Sequence, residues 1–241
     1  MRGACDNTGM PTVLPEPEEK ARSVKEMFDR IAPGYDRVNR LLTGNSDQRW
    51  RRALIRRLGI GDSDRVLDLA CGTGQFADMA REYSQHVIGL DFARQMLIGA
   101  QARDMIVVGL VQGDATRLPF ADGSFTVAVS GFALRNFTSI PLVLSELARV
   151  LKPGGRIGLL EVDRPKNAVV RSGHSLYFDR VVPLVGGLIS DRQAYRYLPE
   201  SAVYLPSQDE FVRMLVDAGF HRVRKTSPMF GAIQSVSAER K

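Results

Sequence analysis

Glycines and carboxylates concentrate in one stretch of the chain, Val66-Leu67-Asp68-Leu69-Ala70-Cys71-Gly72-Thr73-Gly74. Glycine lacks a Cβ, so the backbone at Gly72 and Gly74 can approach a ligand closely. The apolar run before the turn predicts a strand, and ligands of open α/β sheets bind at the carboxyl ends of strands. A bare Gly-x-Gly is weak evidence by itself. A dinucleotide fingerprint would place a third glycine at 77, where this chain has Ala77, a residue sometimes tolerated there. Asp68 would repel a pyrophosphate but suits a cation such as an α-amino group. Asp91 ends the next apolar run, seventeen residues after Gly74. A carboxylate at that place can accept hydrogen bonds from two ribose hydroxyls.

These features together favour S-adenosylmethionine, a cation with an amino-acid tail and a ribose but no phosphate. Gly113-Asp114-Ala115 follows the third predicted strand, at the same sheet edge. There Asp114 can accept from an adenine amino group, or simply cap a turn. Phe92 and Met96 can cover an adenine face, or belong to the core. A dinucleotide oxidoreductase stays as an alternative that Asp68 disfavours. No metal is expected: His86, His174 and His221 are scattered, and nothing has metal-ligand spacing.

The elements that must position these residues follow from periodicity. Residues 1–17 are rich in proline and glycine and are expected to be a flexible tail. Residues 18–60 read as a helical cap. Its helices run over Glu18–Ile31, Tyr35–Leu42 and Asp47–Leu58, broken by Ala32-Pro33-Gly34 and by Thr43-Gly44-Asn45. From 61 to 241 short apolar runs alternate with helices. Strands are expected at Val66–Leu69, His86–Asp91, Met105–Val111, Phe125–Ser130 and Arg156–Val162. Helices are expected at Gln75–Tyr83, Ala93–Ala102, Ile140–Leu151 and Gln208–Ala218. This alternation predicts an α/β fold with a mostly parallel sheet covered on both faces. Two late runs, His221–Thr226 and Ala232–Ala238, predict an antiparallel pair at the sheet edge. A helical insertion at about 165–200 reads as a lid.

Composition narrows the classes. Hydrophobic residues make up 44% and charged residues 25%, which excludes a wholly disordered chain, a collagen and a coiled coil. A net charge of +6 permits an anionic partner but demands none. Cys5 and Cys71 are too few for a disulfide framework and are expected as reduced thiols in a cytoplasmic protein. No apolar run nears the ~20 residues needed to span a bilayer, and the first residues lack the apolar core of a signal peptide.

Several further motifs resemble the ubiquinone/menaquinone-biosynthesis C-methyltransferases over residues 22–240. Met27-Phe28-Asp29-Arg30-Ile31-Ala32-Pro33-Gly34-Tyr35-Asp36, with Asn39 and Trp50, is similar to that family's N-terminal signature. Ala133-Leu134-Arg135-Asn136 resembles its Gly-Leu-Arg-Asn motif. Arg149 to Gly155 with Glu161 resembles its second signature, and Tyr195 to Ser201 its late tyrosine segment. Departures are Thr43 and Asp47 for the usual serine and histidine, Ala133 for glycine, and Val162-Asp163 after Glu161. They bear on the ring substrate more than on the methyl donor.

The resemblance implies a class I S-adenosylmethionine-dependent methyltransferase with a Rossmann-like sheet. Its donor contacts fall on Thr73, Asp91, Asp114 and Ala115, and on Gly131, where relatives often carry serine. The implied reaction is C-methylation of a prenylated quinol ring, demethylmenaquinol or the related ubiquinone precursor. Arg135 is expected to stabilise a developing phenolate, or else to form a structural ion pair. Asn136 is expected to bond the other ring oxygen, and Tyr35 to contact the ring or relay its proton. His174 and Glu161 are weaker candidates. Arg49, Arg51, Arg52, Arg56 and Arg57 lie with Trp50 on one helix, a face suited to peripheral contact with the inner side of a membrane or simply to solvent. A homodimer is compatible with this reading and nucleic acid is not expected, since no RNA-binding module is present. Alternatives are methylation of another small aromatic, and a non-catalytic donor-binding scaffold of a quinone-synthesis complex.

Overall fold

The structure, a computed structural model, describes residues 14–16, 19–103, 108–163, 165, 172, 184 and 191–241. Most of the expected tail and most of the expected lid, including His174, lie outside the described residues.

The strands before the site read as near-continuous apolar runs because both faces of the sheet are covered. In β1 (Arg65–Leu69) every residue after Arg65 is buried. It pairs in parallel with β2 (His86–Asp91) on one side and with β4 (Phe125–Gly131) on the other. β3 (Val108–Gln112) lies outside β2, and β5 (Leu151–Val162) outside β4. The last two strands, β6 (Phe220–Thr226) and β7 (Ile233–Arg240), are antiparallel, with β7 between β5 and β6. The seven-stranded order is therefore β3-β2-β1-β4-β5-β7-β6. The chain crosses from one half of the sheet to the other between β3 and β4, so a cleft opens beyond the carboxyl ends of β1 and β4.

Alternation along β1 sends side chains to two cores. Leu67 and Leu69 pack with Leu144, Leu147, Phe211 and Leu215. These come from α6 (Ile140–Val150) and from α8 (Gln208–Asp217), which Ser207 and Glu210 cap reciprocally. Val66 faces the other way, to Leu54, Leu58, Phe76 and Ala80 of α3 (Ser46–Leu58) and α4 (Gln75–Ala80). A third core joins α1 (Lys20–Ile31), α2 (Tyr35–Thr43), α5 (Arg94–Gln101) and α7 (Arg192–Glu200), through Val24, Ile31, Val38, Met96, Ala194 and Tyr195. This third core holds the N-terminal helices over the carboxyl edge of the sheet.

The arginine run divides on folding. Arg51 is buried and Arg57 reaches Ser235 and Thr226, leaving Arg49, Arg52 and Arg56 exposed. Trp50 packs, partly buried, on the α3–α4 core. Among the described residues no helix is long and apolar enough to cross a membrane, and no cluster of ligating side chains could hold a metal ion.

Candidate active site

The turn after β1 is shaped by its backbone. Ala70, Gly72 and Gly74 all have positive φ, at 53°, 56° and 79°. Phe132, at the matching end of β4, is also left-handed at 61°. A non-glycine residue in that region is strained, and such residues cluster at ligand sites. Both Ala70 and Phe132 line the same cleft.

Asp91 organises the turn. Its Oδ2 accepts from the Gly72 amide at 2.8 Å and its Oδ1 from the Ala93 amide at 2.9 Å. Each oxygen keeps a lone pair for a ligand. Burial pushes the carboxyl up to about 6 although these amides favour the anion. Asp68 sits deeper. Its Oδ2 accepts from the Ala77 amide at 2.8 Å and ties β1 to α4, while burial, with Asp91 nearby, pushes it up to about 7. Thr73 is turned toward the cap: its hydroxyl donates to Asp36 Oδ1 at 2.7 Å, where Gln75 Nε2 also donates at 2.8 Å, while Arg103 pairs with Asp36 Oδ2. Asp114 makes the local turn that was one of its two readings, accepting from the Thr116 amide and hydroxyl at 2.8 Å, and still lines the cleft.

Of the residues singled out by sequence, Tyr35, Gly72, Asp91, Phe92, Asp114, Ala115, Gly131 and Asn136 line the cleft. Met96 does too, so it serves both core and wall. Asp68, Thr73, Gly74 and Arg135 are not among the lining residues. For Asp68 and Thr73 the reason is the engagement just described, and Gly74 is the N-cap residue of α4. Arg135 is buried and locked to the fully buried Glu161, with a second bond from its Nη1 to the Phe132 carbonyl at 3.1 Å. That is the structural ion pair its sequence left open. Glu161 thereby acquires a partner.

Sequence reasoning missed several wall residues. Phe28, Phe132 and Phe137, three aromatic residues, and Ala70 belong to the wall. Phe28 was visible only inside the N-terminal signature, and no residue-type signal marks a left-handed alanine or phenylalanine. The far wall is also polar at one point. Tyr197 donates to Asn136 Oδ1 at 3.1 Å, and Lys20 Nζ donates to the Phe137 carbonyl at 2.7 Å, so α7 and α1 brace the same turn.

Among the described residues the lining carries two carboxylates and neither lysine nor arginine. Among these residues a pyrophosphate finds no cation, whereas a positively charged nucleoside finds Asp91 and Asp114. A model of the ubiE/COQ5 methyltransferase family matches residues 16–239. The chain belongs to the ubiE/COQ5 methyltransferase family. It is an S-adenosylmethionine-dependent methyltransferase. A demethylmenaquinone methyltransferase of Roseiflexus sp. (strain RS-1) is 40% identical over 88% of this chain and 91% of its own. The ubiquinone/menaquinone biosynthesis C-methyltransferase UbiE of Syntrophotalea carbinolica is 40% identical over 84% and 88%. The solved structures share the fold at low identity. The Haloferax volcanii complex of the Trm112 activator with a methyltransferase superposes with TM-score 0.64, 21% identity and coverage of 88% of this chain and 96% of that one. The [4+2]-cyclase SpnF gives 0.65, 18%, 91% and 96%. The Gly72 turn fits the methyl donor. A Cβ there would meet only Met96 Sδ, at 4.0 Å, so the backbone is open to close approach.

Proposed function

We propose that this methyltransferase adds a methyl group to a ring carbon of a prenylated quinol, demethylmenaquinol or a related benzoquinol. What carries the reading is the make-up of one cleft: carboxylates and a glycine turn at one end, and Phe28, Tyr35, Phe132, Asn136 and Phe137 at the other. The donor, when bound, supplies an electrophilic methyl on a positively charged sulfur. Asp91 would hold the ribose hydroxyls, and Asp114 the adenine amino group. The aromatic walls would exclude water from a reaction in which an anion and a cation neutralise each other. Most of the rate would come from alignment.

The acceptor must be the reduced ring, because its carbon is nucleophilic only beside an ionised hydroxyl. The ring carbon forms the new C–C bond, the C–S pair stays on sulfur, and the ring carbon then loses its proton. Tyr35 and Asn136, polar side chains of the wall, would hold the ring oxygens. The prenyl chain would bring the enzyme to a lipid surface, where the exposed Arg49, Arg52 and Arg56 suit anionic headgroups.

The test is methyl transfer from labelled donor to demethylmenaquinol, its quinone form and a demethyl benzoquinol, read by mass spectrometry. Methylation of a quinol and not of the quinone is expected. No product from any prenylated quinol would overturn the reading. Liposome flotation should be lost in high salt.

A further inference from the structure

Among the described residues Arg51 and Arg135 are the buried arginines near the ring end of the cleft, and Arg51 is the less neutralised. Arg135 is closed on Glu161 by a tight pair. Arg51 is only 6% exposed, and among the described residues its Nε makes no hydrogen bond and its carboxylate partner, Asp47 Oδ2, is 3.7 Å away. Asp47 spends its oxygens elsewhere, accepting from Thr43 Oγ1 at 2.8 Å and from Gln48 Nε2 at 3.2 Å.

The guanidinium is fixed by what it packs on. Its carbon lies 4.8 Å from the Phe76 ring centroid and 5.3 Å from that of Phe132. A Cβ on residue 131 would stand 2.6 Å from Arg51 Nη1 and 2.8 Å from Phe76. Gly131 therefore leaves the space that Arg51 occupies, and two of the arginine's neighbours, Gly131 and Phe132, are cleft wall. Tyr35 belongs to the same wall. Burial raises its hydroxyl above the ordinary tyrosine range, and Arg51 is the strongest influence in the other direction. The remaining groups facing the hydroxyl are Asn39, which hydrogen-bonds it, Arg135, Asp36 and Tyr195. Arg51 in turn faces Asp47 and Asp68.

We propose that Arg51 is a positioning residue for the methyl acceptor: its weakly neutralised charge at the Gly131–Phe132 wall makes the Tyr35 hydroxyl the donor that holds the ring oxygen as an anion. This rests on the quinol reading above. Arg51 acts through Tyr35, since it is not itself wall. In a site shielded from water, a cation held behind the same wall strengthens such a donor more than it would at a surface.

The experiment is the pH profile of kcat with demethylmenaquinol, alongside calorimetry of S-adenosylhomocysteine. In the wild type kcat rises with pH as the bound ring hydroxyl ionises. Arg51→Met should move that limb up by about one pH unit, which is about tenfold in kcat below it. Arg51→Lys should restore part of the shift. Asp47→Asn should move the limb the opposite way, because it removes a counter-charge while keeping Arg51. In Tyr35→Phe the Arg51 effect should largely vanish, as expected for groups acting in series. Product binding should stay within about twofold in all variants. An unmoved limb in Arg51→Met, a limb raised by Asp47→Asn, or full additivity with Tyr35→Phe would each overturn the assignment. If Arg51→Met does not fold, Arg51→Lys and Asp47→Asn still decide it. A wild type that methylates no quinol brings down the functional reading, whereas an active wild type with an unmoved limb brings down only Arg51.

Discussion

The two ends of the cleft are made of different material. The donor end is backbone and carboxylate, assembled within one sheet edge. Asp91 reaches Gly72 across one strand pair and Asp114 closes its own turn. The acceptor end is aromatic and comes from segments far apart in sequence. Tyr197 meets Asn136, Lys20 meets Phe137, and Arg30 on α1 pairs with Asp191 at the start of α7 at 3.1 Å. A donor shared by many enzymes can be held by a turn the fold always provides. An acceptor particular to one enzyme needs surfaces that only the added helices supply. Substitutions at one end should therefore leave the other end's ligand nearly untouched.

The largest effect belongs to neither end but to the joint beneath them. Arg135→Ala leaves Glu161 buried without its partner, and breaking such a pair costs about 3–5 kcal/mol. Denaturant unfolding should show that loss, and Arg135→Met with Glu161→Gln should recover much of it. Should Arg135→Ala keep wild-type stability while turnover collapses, Arg135 works on the acceptor directly and the joint belongs to the acceptor end.

Next comes Asp91→Ala. The charge-assisted bonds lost should weaken donor binding by ~2–3 kcal/mol, with acceptor KM nearly constant. Calorimetry with S-adenosylhomocysteine measures the first and steady-state kinetics the second. Unchanged donor affinity would remove Asp91 from the site.

The same contrast explains what the sequence made legible. The parallel strands, the glycine turn and the carboxylates at strand ends follow from local pattern, because apolar runs and the turn residues that bound them are marked by their immediate neighbours in sequence. Strand and helix ends were less legible. β5 begins at Leu151, ahead of the expected Arg156, because it already pairs with Phe125 across a bulge. The placing of β7 between β5 and β6 depends on long-range pairing that no local signal encodes. Asp68, Thr73 and Arg135 have the right types for ligand contact, yet Ala77, Asp36 and Glu161 engage them first. Sequence shows that a group can bond, and only the fold shows which partner reaches it. Arg51 is the converse case. Within a basic run it looks like surface, and packing against Phe76 and Phe132 buries it.

A smaller effect is expected from pH at the donor end. Asp91 is pushed up to about 6, so at pH 5 it is mostly neutral and accepts less well. Affinity for S-adenosylhomocysteine should fall about tenfold from pH 7 to pH 5. The free protein should respond in the opposite sense. A carboxyl raised above its unfolded value adds stability that is full below about 4 and is lost as pH rises through 6. In Asp91→Asn both slopes should lessen, while Asp68, with its own rise to about 7, keeps its share of the stability slope. A donor affinity that is flat from pH 5 to 7 in the wild type would mean that Asp91 is held ionised throughout.

The smallest effect sharpens the acceptor side. Phe28 lines the cleft and meets the Tyr35 ring edge-on, with centroids 6.1 Å apart and planes at 72°. Such a pair contributes about 0.5–1.5 kcal/mol beyond its buried area. Phe28→Ala should therefore raise acceptor KM by about 2–10-fold, by loosening Tyr35 and removing one apolar wall. Donor affinity should not move, because Phe28 contributes nothing to the Gly72–Asp91 turn. Equal losses for donor and acceptor would show that α1 clamps the whole cleft, and the two ends would then have to be treated as one unit.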